Sequence, residues 1–511
     1  MKHLSGALLI LLVTLVAACN SNTAEHPYRN LSYKSLRHWH NDGYVISNSR
    51  IRHFIDSLRT TVSTLCEADR LTDDYYARRQ PYLWIDRGGT DLRSDTMMKW
   101  VEEVARTGLP ERKFYLPQIR ENLRRLRALD FDAAHTVSRT MATLEYYLTR
   151  GYLRYVSGQR FGYISPRQFL NHLSPTEGDT TGKRFDTLFD MPTQHCNADF
   201  FQRATQSIGH GLTPFIEETQ PDNPLYTRLL EALTQEPRER RALLEANLER
   251  ARWHTPQPPE NGRRVIINLP SQQLVAYDDS DHITTMKICC GSTSHKTPLL
   301  SGRLSHIELN PYWNIPLSII KKEVARHAGD ADYFSHHRYE IVDRKSGITV
   351  YPGSLTSDQL GSGNYTVRQQ RGEGNALGRM IFRFPNGHAI YLHDTNNRAA
   401  FERNWRCVSH GCIRVERPME LASILLPDKD SIYMDRLRHT VGLLPQSYRG
   451  QTLLAEERLA TLNSCMLSPH VPVSIIYYTA YPTPGGTRMA NQAFVQYYEE
   501  SYQRSKSANH K

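Results

Sequence analysis

The residues with the clearest chemical potential lie around a single cysteine in the second half of the chain. His393 and Asp394 precede the run Ser409–Arg414, which reads SHGCIR. A thiol attacks well only as a thiolate, so a neighbouring histidine, a cation or oriented backbone N–H groups must favour loss of its proton. Gly411 lets backbone N–H groups approach a carbonyl oxygen closely, as stabilisation of an oxyanion requires. The pattern indicates nucleophilic catalysis by Cys412 with His393 as the base.

The same side chains have other possible uses. Zinc would need one ligand beyond Cys412, His410 and His393, and His-x-Cys is not a usual zinc spacing. We therefore predict no metal and no cofactor. Cys407, five residues before Cys412, is interpreted as a core residue, with a regulatory disulfide to Cys412 as the alternative. The acidic run Asp278–Asp281 lacks the Gly and Glu spacing of a calcium loop and is predicted to be a hairpin turn.

Strands are expected to position these residues. Residues 254–262 (HTPQPPENG) are rich in proline and turn formers, and short β-rich runs follow them. The runs Met380–Phe384 and Ala389–His393 flank an Asn-Gly pair, which is a strong hairpin signal and puts His393 at the end of a strand. Further strands are predicted at Val265–Leu269, Leu274–Tyr277, Ile283–Cys289 and Val471–Tyr478.

Residues 29–255 have a mainly helical pattern. Leu116–Ala128 carries one apolar stripe on a charged helix. Thr140–Leu153 continues the pattern, which Gly151 and Gly158 are expected to break. The predicted fold class is α+β, with a helical domain followed by a β-rich, β-sandwich-like domain that contains an insertion.

The run SHGC-x-R after an upstream histidine resembles the signature of L,D-transpeptidases with a YkuD-type catalytic domain. The resemblance extends to the loop Gly374–Gly378, to Tyr391–Thr395 and to Asn310–Pro316 (NPYWNIP), which is similar to the start of a lid insertion. The helical half resembles the scaffold of the family's large subclass through Tyr82–Trp84 and Asn247–Trp253. The implied parts are a scaffold at 29–255, a linker at 256–262, a catalytic domain at 263–440 with a lid at about 300–370, and a C-terminal extension at 441–511 with a strand and a polar tail.

The resemblance implies acyl transfer on bacterial peptidoglycan. Cys412 would attack the L-centre carbonyl of a tetrapeptide stem, release D-Ala and pass the acyl group to an amine of a neighbouring stem, which gives a 3→3 cross-link. His393 would be the base, with its ring oriented by a backbone carbonyl such as that of Asp394. His410 and the N–H groups of Gly411 and Cys412 would bind the oxyanion or the substrate. Arg414 would brace the site or pair with a substrate carboxylate, and the other implied substrate-binding residues are Ser409, Tyr391, Asn375 and Trp313.

Other outcomes of the same chemistry stay open. Attack of water on the thioester would make the protein an L,D-carboxypeptidase, and attack on existing 3→3 links would make it an endopeptidase. A protein amine as acceptor would make it an enzyme that anchors lipoproteins to the wall. A catalytically silent wall-binding lipoprotein belongs to another class and is disfavoured, because Cys412, His393 and Arg414 are all present.

The N-terminus has the features of an exported protein. The apolar stretch Leu8–Val16 is too short to span a bilayer and is typical of a signal peptide. Residues 16–19 (VAAC) resemble the lipobox of bacterial lipoproteins, which implies a lipid anchor on Cys19. With Asn20 after the anchor, that resemblance favours the outer membrane, facing the periplasm. The implied parts are a signal peptide at 1–19 and a tether at 20–28.

Composition restricts the partners. The net charge is +10, without a run of five like charges or a nucleic-acid-binding motif, so nucleic acid is not an expected partner. The expected partners are peptidoglycan stem peptides, as donor and acceptor, and a membrane reached through the lipid anchor. Seven cysteines remain after Cys19, and an odd number in an exported protein indicates a free thiol.

Overall fold

The computed structural model describes residues 31, 42–172, 176, 184–235, 238–253, 255–256, 259–482 and 489–491. The chain divides into two compact units, Met1–Tyr163 with Gln194–Tyr226, and Ile164–Thr193 with Thr227–Lys511. The predicted signal peptide, Cys19 anchor and tether lie outside the described residues. Within the described ranges, each helix is too short or too polar to cross a membrane.

The first unit is helical, and its longest helix, Val137–Phe161, is largely buried. Gly151 and Gly158 lie inside this helix, so the prediction that they break it is wrong. A Cβ on Gly151 would lie 2.6 Å from the Phe114 carbonyl oxygen, and a Cβ on Gly158 would overlap the Tyr163 ring. Close packing at both glycines therefore outweighs their low helix propensity. The α-helices outside the lid are Asn48–Thr61, Glu67–Ala77, Leu92–Ala105, Leu116–Ala128, Val137–Phe161, Pro166–Leu170, Ala198–Gly209, Leu212–Glu218, Pro224–Gln235, Arg238–Arg252, Pro418–Leu425, Ser431–Thr440 and Tyr448–Ala455.

Two buried carboxylates fix the long helix to its neighbours. Glu145 accepts hydrogen bonds from the backbone N–H groups of residues 83–85 at 2.6, 2.9 and 3.1 Å. Asp69 forms ion pairs with Arg150 at 2.9 Å and with Arg154 at 2.6 Å, and all three side chains are buried. Because buried polar groups are costly unless they are paired, these contacts specify how the helices of this unit pack.

The second unit is built on a sheet that closes on itself. The strands are β1 (Phe189–Asp190), β2 (Arg264–Asn268), β3 (Gln273–Tyr277), β4 (Ile283–Gly291), β5 (Leu299–Leu309), β6 (Trp313–Asn314), β7 (Tyr339–Asp343), β8 (Thr349–Val350), β9 (Tyr365–Gln369), β10 (Met380–Arg383), β11 (Leu392–His393), β12 (Cys407–Ser409), β13 (Ile413–Val415), β14 (Ser464–Ile476), β15 (Ala480–Pro482) and β16 (Met489–Asn491). The order around the sheet is β5-β10-β11-β13-β4-β3-β2-β14, and β14 also pairs with β5. The predicted α+β class is confirmed, and the predicted sandwich-like packing takes the form of this closed sheet.

Parts of the predicted scaffold and of the predicted extension belong to the second unit. Strand β1 pairs in parallel with β5, and Leu170, Phe189 and Trp253 lie in the core of the sheet. Strand β14, which the sequence places in the C-terminal extension, pairs with both β2 and β5. An apolar pattern shows that a segment is buried but not which core it joins. The predicted boundaries at 255 and 440 therefore do not coincide with the boundaries of the compact units.

The lid has its own sheet, in the order β6-β9-β7-β8, and its own core, which includes Ile320, Phe334 and Ile341. The lid begins at β6 rather than near residue 300, because β5 continues in the main sheet as far as Leu309. Its helical segments are Leu317–Ile319, the π-helix Ile320–Val324, Ala325–His327, Ala331–His336, Pro352–Ser354 and Ser357–Gly361.

Candidate active site

Cys412 lies in a tight turn between β12 and β13, and hydrogen bonds hold this turn. The Ser409 hydroxyl donates to the Cys412 carbonyl oxygen at 2.6 Å and accepts the Gly411 N–H at 3.1 Å. Thr297 Oγ1 donates to the Gly411 carbonyl oxygen at 2.7 Å. Gly411 has φ of +114°, a conformation that L side chains rarely adopt. The residue types at 409 and 411 are therefore explained by the turn that presents Cys412.

Two groups that were predicted to contact the substrate or the oxyanion form hydrogen bonds within this turn instead. The Ser409 hydroxyl, predicted to bind substrate, is bonded to both ends of the turn. The Gly411 N–H, predicted to stabilise an oxyanion, donates to Ser409 instead. The Cys412 N–H is then the remaining oxyanion donor of the predicted pair of N–H groups.

Strands β11 and β13 run in parallel and bring the predicted catalytic residues onto one face. His393 is the register partner of Arg414, and Leu392 is the register partner of Ile413. Leu392 and Ile413 are fully buried in the core, and side chains alternate along a strand. The opposite face of the two strands therefore presents Tyr391, His393, Cys412 and Arg414.

His393, the predicted base, is held as a neutral imidazole. Its Nδ1 is 2.5 Å from the Asp394 carbonyl oxygen, and a carbonyl only accepts, so Nδ1 carries the ring hydrogen and Nε2 has the lone pair. Burial, together with the Arg414 charge, lowers the pKa of His393 from 6.5 to about 3. The Asp394 carboxylate accepts the Arg379 N–H at 2.9 Å and the Arg398 guanidinium at 2.7 Å. Asp394, predicted to be catalytic, therefore orients the His393 ring through its backbone carbonyl.

The thiol of Cys412 is protonated at neutral pH. Burial raises the pKa of Cys412 above its ordinary value of 9.0, although hydrogen bonds with Tyr391 and the charges of two arginines act in the opposite direction. In the part of the chain that the structure describes, no hydrogen bond joins this thiol to His393. The resting site therefore holds a neutral thiol and a neutral imidazole.

Arg383 on β10 is a further charge beside the site, and no sequence motif indicated it. Its guanidinium lies 4.6 Å from the centre of the Tyr391 ring, and it pairs with Glu308 of β5 at 2.8 Å. The strand register of the predicted hairpin could have revealed the position of Arg383. Strands β10 and β11 pair Ile381 with His393, which puts Arg383 opposite Tyr391.

His410 is paired with the lid. Its Nε2 is 3.1 Å from the Glu323 carboxylate in the π-helix, and both side chains are about half exposed. The ring centre of His410 is also 4.9 Å from that of His295. His410, predicted to bind the oxyanion or the substrate, thus connects the catalytic turn to the lid in this conformation.

Asn375 and Trp313, two of the residues predicted to bind substrate, differ in their surroundings. Asn375 is buried, and its amide donates to the carbonyl oxygens of Pro311 at 3.1 Å and Gln370 at 2.9 Å. These bonds hold the loop before β10, so the amide of Asn375 serves the loop. Trp313 lies on β6 in the lid, with its ring centre 6.5 Å from that of Tyr339. Among the described residues, no group of three or more His, Cys, Asp or Glu side chains is placed to hold a metal ion.

Two protein families match separate parts of the chain. Residues 262–434 match the YkuD family, which is described as the L,D-transpeptidase catalytic domain. This part of the chain is therefore similar to an L,D-transpeptidase catalytic domain. Residues 69–233 match the family described as the Scaffold domain, which agrees with the resemblance predicted for the helical half.

A curated protein of Haemophilus influenzae named "Putative L,D-transpeptidase" is 33% identical to this chain over 251 residues. The matched stretch is 48% of this chain and 50% of that protein, so the chain spans about half the length of the curated relative it matches. The predicted resemblance to this family is confirmed by these matches, whereas the roles of individual residues stay predictions.

The thiol of Cys412 should react slowly with alkylating agents at neutral pH. Because the pKa of Cys412 lies above 9.0, the thiolate is about 1% or less of the total at pH 7. Its rate of modification by iodoacetamide, followed by peptide mass spectrometry, should therefore rise about 100-fold from pH 7 to pH 9. A flat rate over this range would reveal a preformed thiolate–imidazolium pair instead.

Two matched variants test whether the charge of Arg383 acts on the thiol of Cys412. Arg383→Met removes the cation over the Tyr391 ring, so the alkylation rate of Cys412 at pH 8 should fall. The guanidinium is 36% exposed, and solvent screening should keep the decrease below about tenfold. Glu308→Gln breaks the same ion pair but keeps the cation, and it should not lower the rate. An equal fall in both variants would point to packing rather than charge.

Proposed function

We propose that this chain is a peptidoglycan L,D-transpeptidase in which Cys412 is the nucleophile. The sulfur attacks the L-centre carbonyl carbon of a tetrapeptide stem while the thiol proton passes to Nε2 of His393. The C–N bond to D-Ala breaks, the proton leaves with the D-Ala amine, and a thioester to Cys412 remains. An amine of a neighbouring stem then attacks the thioester carbonyl, which breaks the C–S bond, restores the thiol and forms a 3→3 cross-link.

The observation that supports this proposal best is the shared face of β11 and β13. A cysteine in a fixed turn and a neutral histidine occupy register-related positions there. Hydrogen bonds between catalytic groups are often long in substrate-free sites and shorten as the substrate binds. Since thiol and imidazole are both neutral at rest, proton transfer accompanies the attack and does not precede it.

Arg414 is proposed to bind the terminal carboxylate of the D-Ala that leaves. Its Nε is buried and has no hydrogen-bond partner among the described residues, and burial lowers the pKa of the guanidinium. A buried donor without a partner is costly, so a ligand that supplies an acceptor gains affinity there. A carboxylate matches the planar donors of a guanidinium.

Replacement of Arg414 should weaken binding of stems that end in a free carboxylate. In Arg414→Met, KM for the tetrapeptide stem should rise roughly 10–100-fold, since a charge-assisted hydrogen bond contributes about 1.5–3 kcal/mol. Arg414→Lys should recover part of the loss. The control is a stem whose D-Ala carboxylate is capped as an amide, which the Met variant should bind as well as the free acid. If the Met variant still preferred the free acid, Arg414 would only brace the site.

Mass spectrometry of protein and products tests the proposed function. The chain from residue 20 onward is mixed with purified disaccharide-tetrapeptide, in parallel with Cys412→Ala. The unsubstituted protein should give an acyl adduct on Cys412, free D-Ala and 3→3 dimers, and the variant should give none of them. Tripeptide without dimers would reassign the protein as an L,D-carboxypeptidase. A folded protein that forms no adduct and releases no D-Ala would overturn the catalytic proposal.

The place of action that suits this chemistry is the cell envelope, where peptidoglycan lies. We propose that Cys19 is lipidated and tethers the chain to the outer membrane on the periplasmic side. Cys19→Ser should then release the protein into the soluble fraction of lysed cells, while the unsubstituted protein sediments with outer membranes. Sedimentation of both proteins would remove the case for a lipid anchor.

A further inference from the structure

Cys290 and Cys407 face each other in the core of the second unit. They are register partners on the parallel strands β4 and β12, their sulfur atoms are 3.6 Å apart, and both residues are buried. Cys289, the preceding residue of β4, lies in a separate cluster with Ala400 and Phe401. Two thiols from distant parts of the sequence are thus brought together, while their nearest cysteine neighbour is directed elsewhere.

The backbone already fits a disulfide bond at this position. Neighbouring strands lie about 4.8 Å apart, and disulfides join Cα atoms about 4.4–6.8 Å apart. The spacing of paired strands therefore lies within the range that a disulfide bond requires. To form the bond, the sulfur separation must shorten from 3.6 Å to about 2.05 Å.

The pair lies immediately before the catalytic turn. Strand β12 ends at Ser409, whose hydroxyl holds the Cys412 carbonyl, and β4 ends at Gly291, whose N–H donates to Thr297 Oγ1 at 2.9 Å. The Ser292 N–H donates to the Ser409 carbonyl oxygen at 2.9 Å. A covalent link between the two strands would fix the position from which the turn begins.

We propose that Cys290 and Cys407 form a disulfide bond when the chain folds outside the cytoplasm. The proposal depends on the proposed function only for this compartment, which is oxidising and in which disulfides persist. Each thiol loses one hydrogen, and the two electrons pass by thiol–disulfide exchange to a disulfide oxidant, which is reduced to two thiols. Because both sulfurs are buried in the folded protein, the exchange takes place before the two strands pack together.

The bond leaves Cys412 as a thiol. A disulfide between Cys407 and Cys412, which the sequence leaves open, would block the nucleophile. The structure directs Cys407 toward Cys290 instead. The disulfide therefore occupies the sulfur of Cys407, which is five residues before Cys412. This sulfur then cannot pair with Cys412 under oxidising conditions.

Trapping of the thiols in the full chain tests the proposal. Cells that export the protein are lysed in denaturant with N-ethylmaleimide, and the detergent-solubilised chain is digested without reductant. Mass spectrometry should find a peptide pair linked through Cys290 and Cys407 that separates on reduction, and alkylated Cys289 and Cys412. Alkylation of both Cys290 and Cys407, or a link from Cys407 to Cys412, would overturn the proposal.

Two neighbouring variants provide the matched control. Cys290→Ser should leave Cys407 fully alkylated, whereas Cys289→Ser, also buried and on the same strand, should keep the linked peptide. If Cys290→Ser does not fold, the linked peptide of the unsubstituted protein still decides the question. The labelling does not depend on transpeptidation, so failure of the disulfide and failure of the proposed enzyme activity are separate results.

Discussion

Replacement of His393 by glutamine should slow release of D-Ala from a tetrapeptide stem by roughly 10²–10⁴-fold. The glutamine amide can keep a hydrogen bond to the Asp394 carbonyl oxygen, but it has no basic nitrogen to take the proton of Cys412. Substrate affinity should change little, since the base acts in the chemical step. Single-turnover measurement of Cys412 acylation, by mass spectrometry at quenched times, isolates that step from product release.

The pH dependence of the same rate separates a neutral pair from a thiolate–imidazolium pair. With its pKa lowered to about 3, His393 stays neutral where an ordinary imidazole would be protonated. With its pKa raised above 9.0, Cys412 stays protonated over the same range. The value of kcat/KM for D-Ala release should therefore be flat between pH 5 and pH 8. An acid limb near pH 6.5 that disappears in His393→Gln would contradict the neutral pair.

Asp394→Asn is the matched control for His393→Gln. The variant keeps the backbone carbonyl that orients the imidazole and keeps an acceptor for the Arg379 N–H. It loses the ion pair with Arg398, whose side chain is 53% exposed, so the acylation rate should fall less than about tenfold. A loss as large as that of His393→Gln would mean that the carboxylate itself takes part, as the sequence predicted.

The sequence was enough to single out Cys412 and His393 as the candidate nucleophile and base, because the features that suggest these roles lie in short stretches of the chain. A glycine next to Cys412 and a strand that ends at His393 need only a few residues of context, and both are found as expected in the structure. Arg383 and Glu308 are different, since 75 residues separate them. They meet only because β5 and β10 pair, so their contribution depends on a register that no short motif encodes.

Ser409 and Asn375 show a second limit of prediction from sequence. Their polar atoms can bond either to a substrate or to the backbone of the protein itself. Short polar side chains bond readily to nearby backbone groups, and they do so at Ser409 and Asn375. Residue type therefore indicated substrate binding and loop stabilisation equally well. The boundary at 255 failed to match the compact units for a related reason, because the pairing of β1 with β5 depends on a partner more than 100 residues away.

Asp69→Asn should destabilise the helical unit by about 3–5 kcal/mol. The carboxylate pairs with Arg150 and Arg154 where all three side chains are buried. A neutral amide would remove the close counter-charge of both cations and leave Arg150 with only Asp73, 4.0 Å away. Because the chain has two compact units, unfolding must be followed locally. Deuterium exchange of peptides from the helix Val137–Phe161, measured against urea concentration, reports the free energy of unfolding of this unit.

Acid should remove the stabilisation that the Asp69 carboxylate provides. The direction of its pKa shift determines the pH range in which this happens. Although burial opposes it, hydrogen bonds from Arg154 and Arg150 lower the pKa of Asp69 from 3.8 to about 2. The stability that Asp69 adds is therefore complete above pH 4 and is lost as the pH falls through 2. Asp74→Asn, on the same helix but 45% exposed and paired with Arg70 at 3.0 Å, should change the free energy of unfolding by less than about 0.5 kcal/mol. Equal destabilisation by both variants would mean that the helix itself, and not the buried charges, sets the stability of this unit.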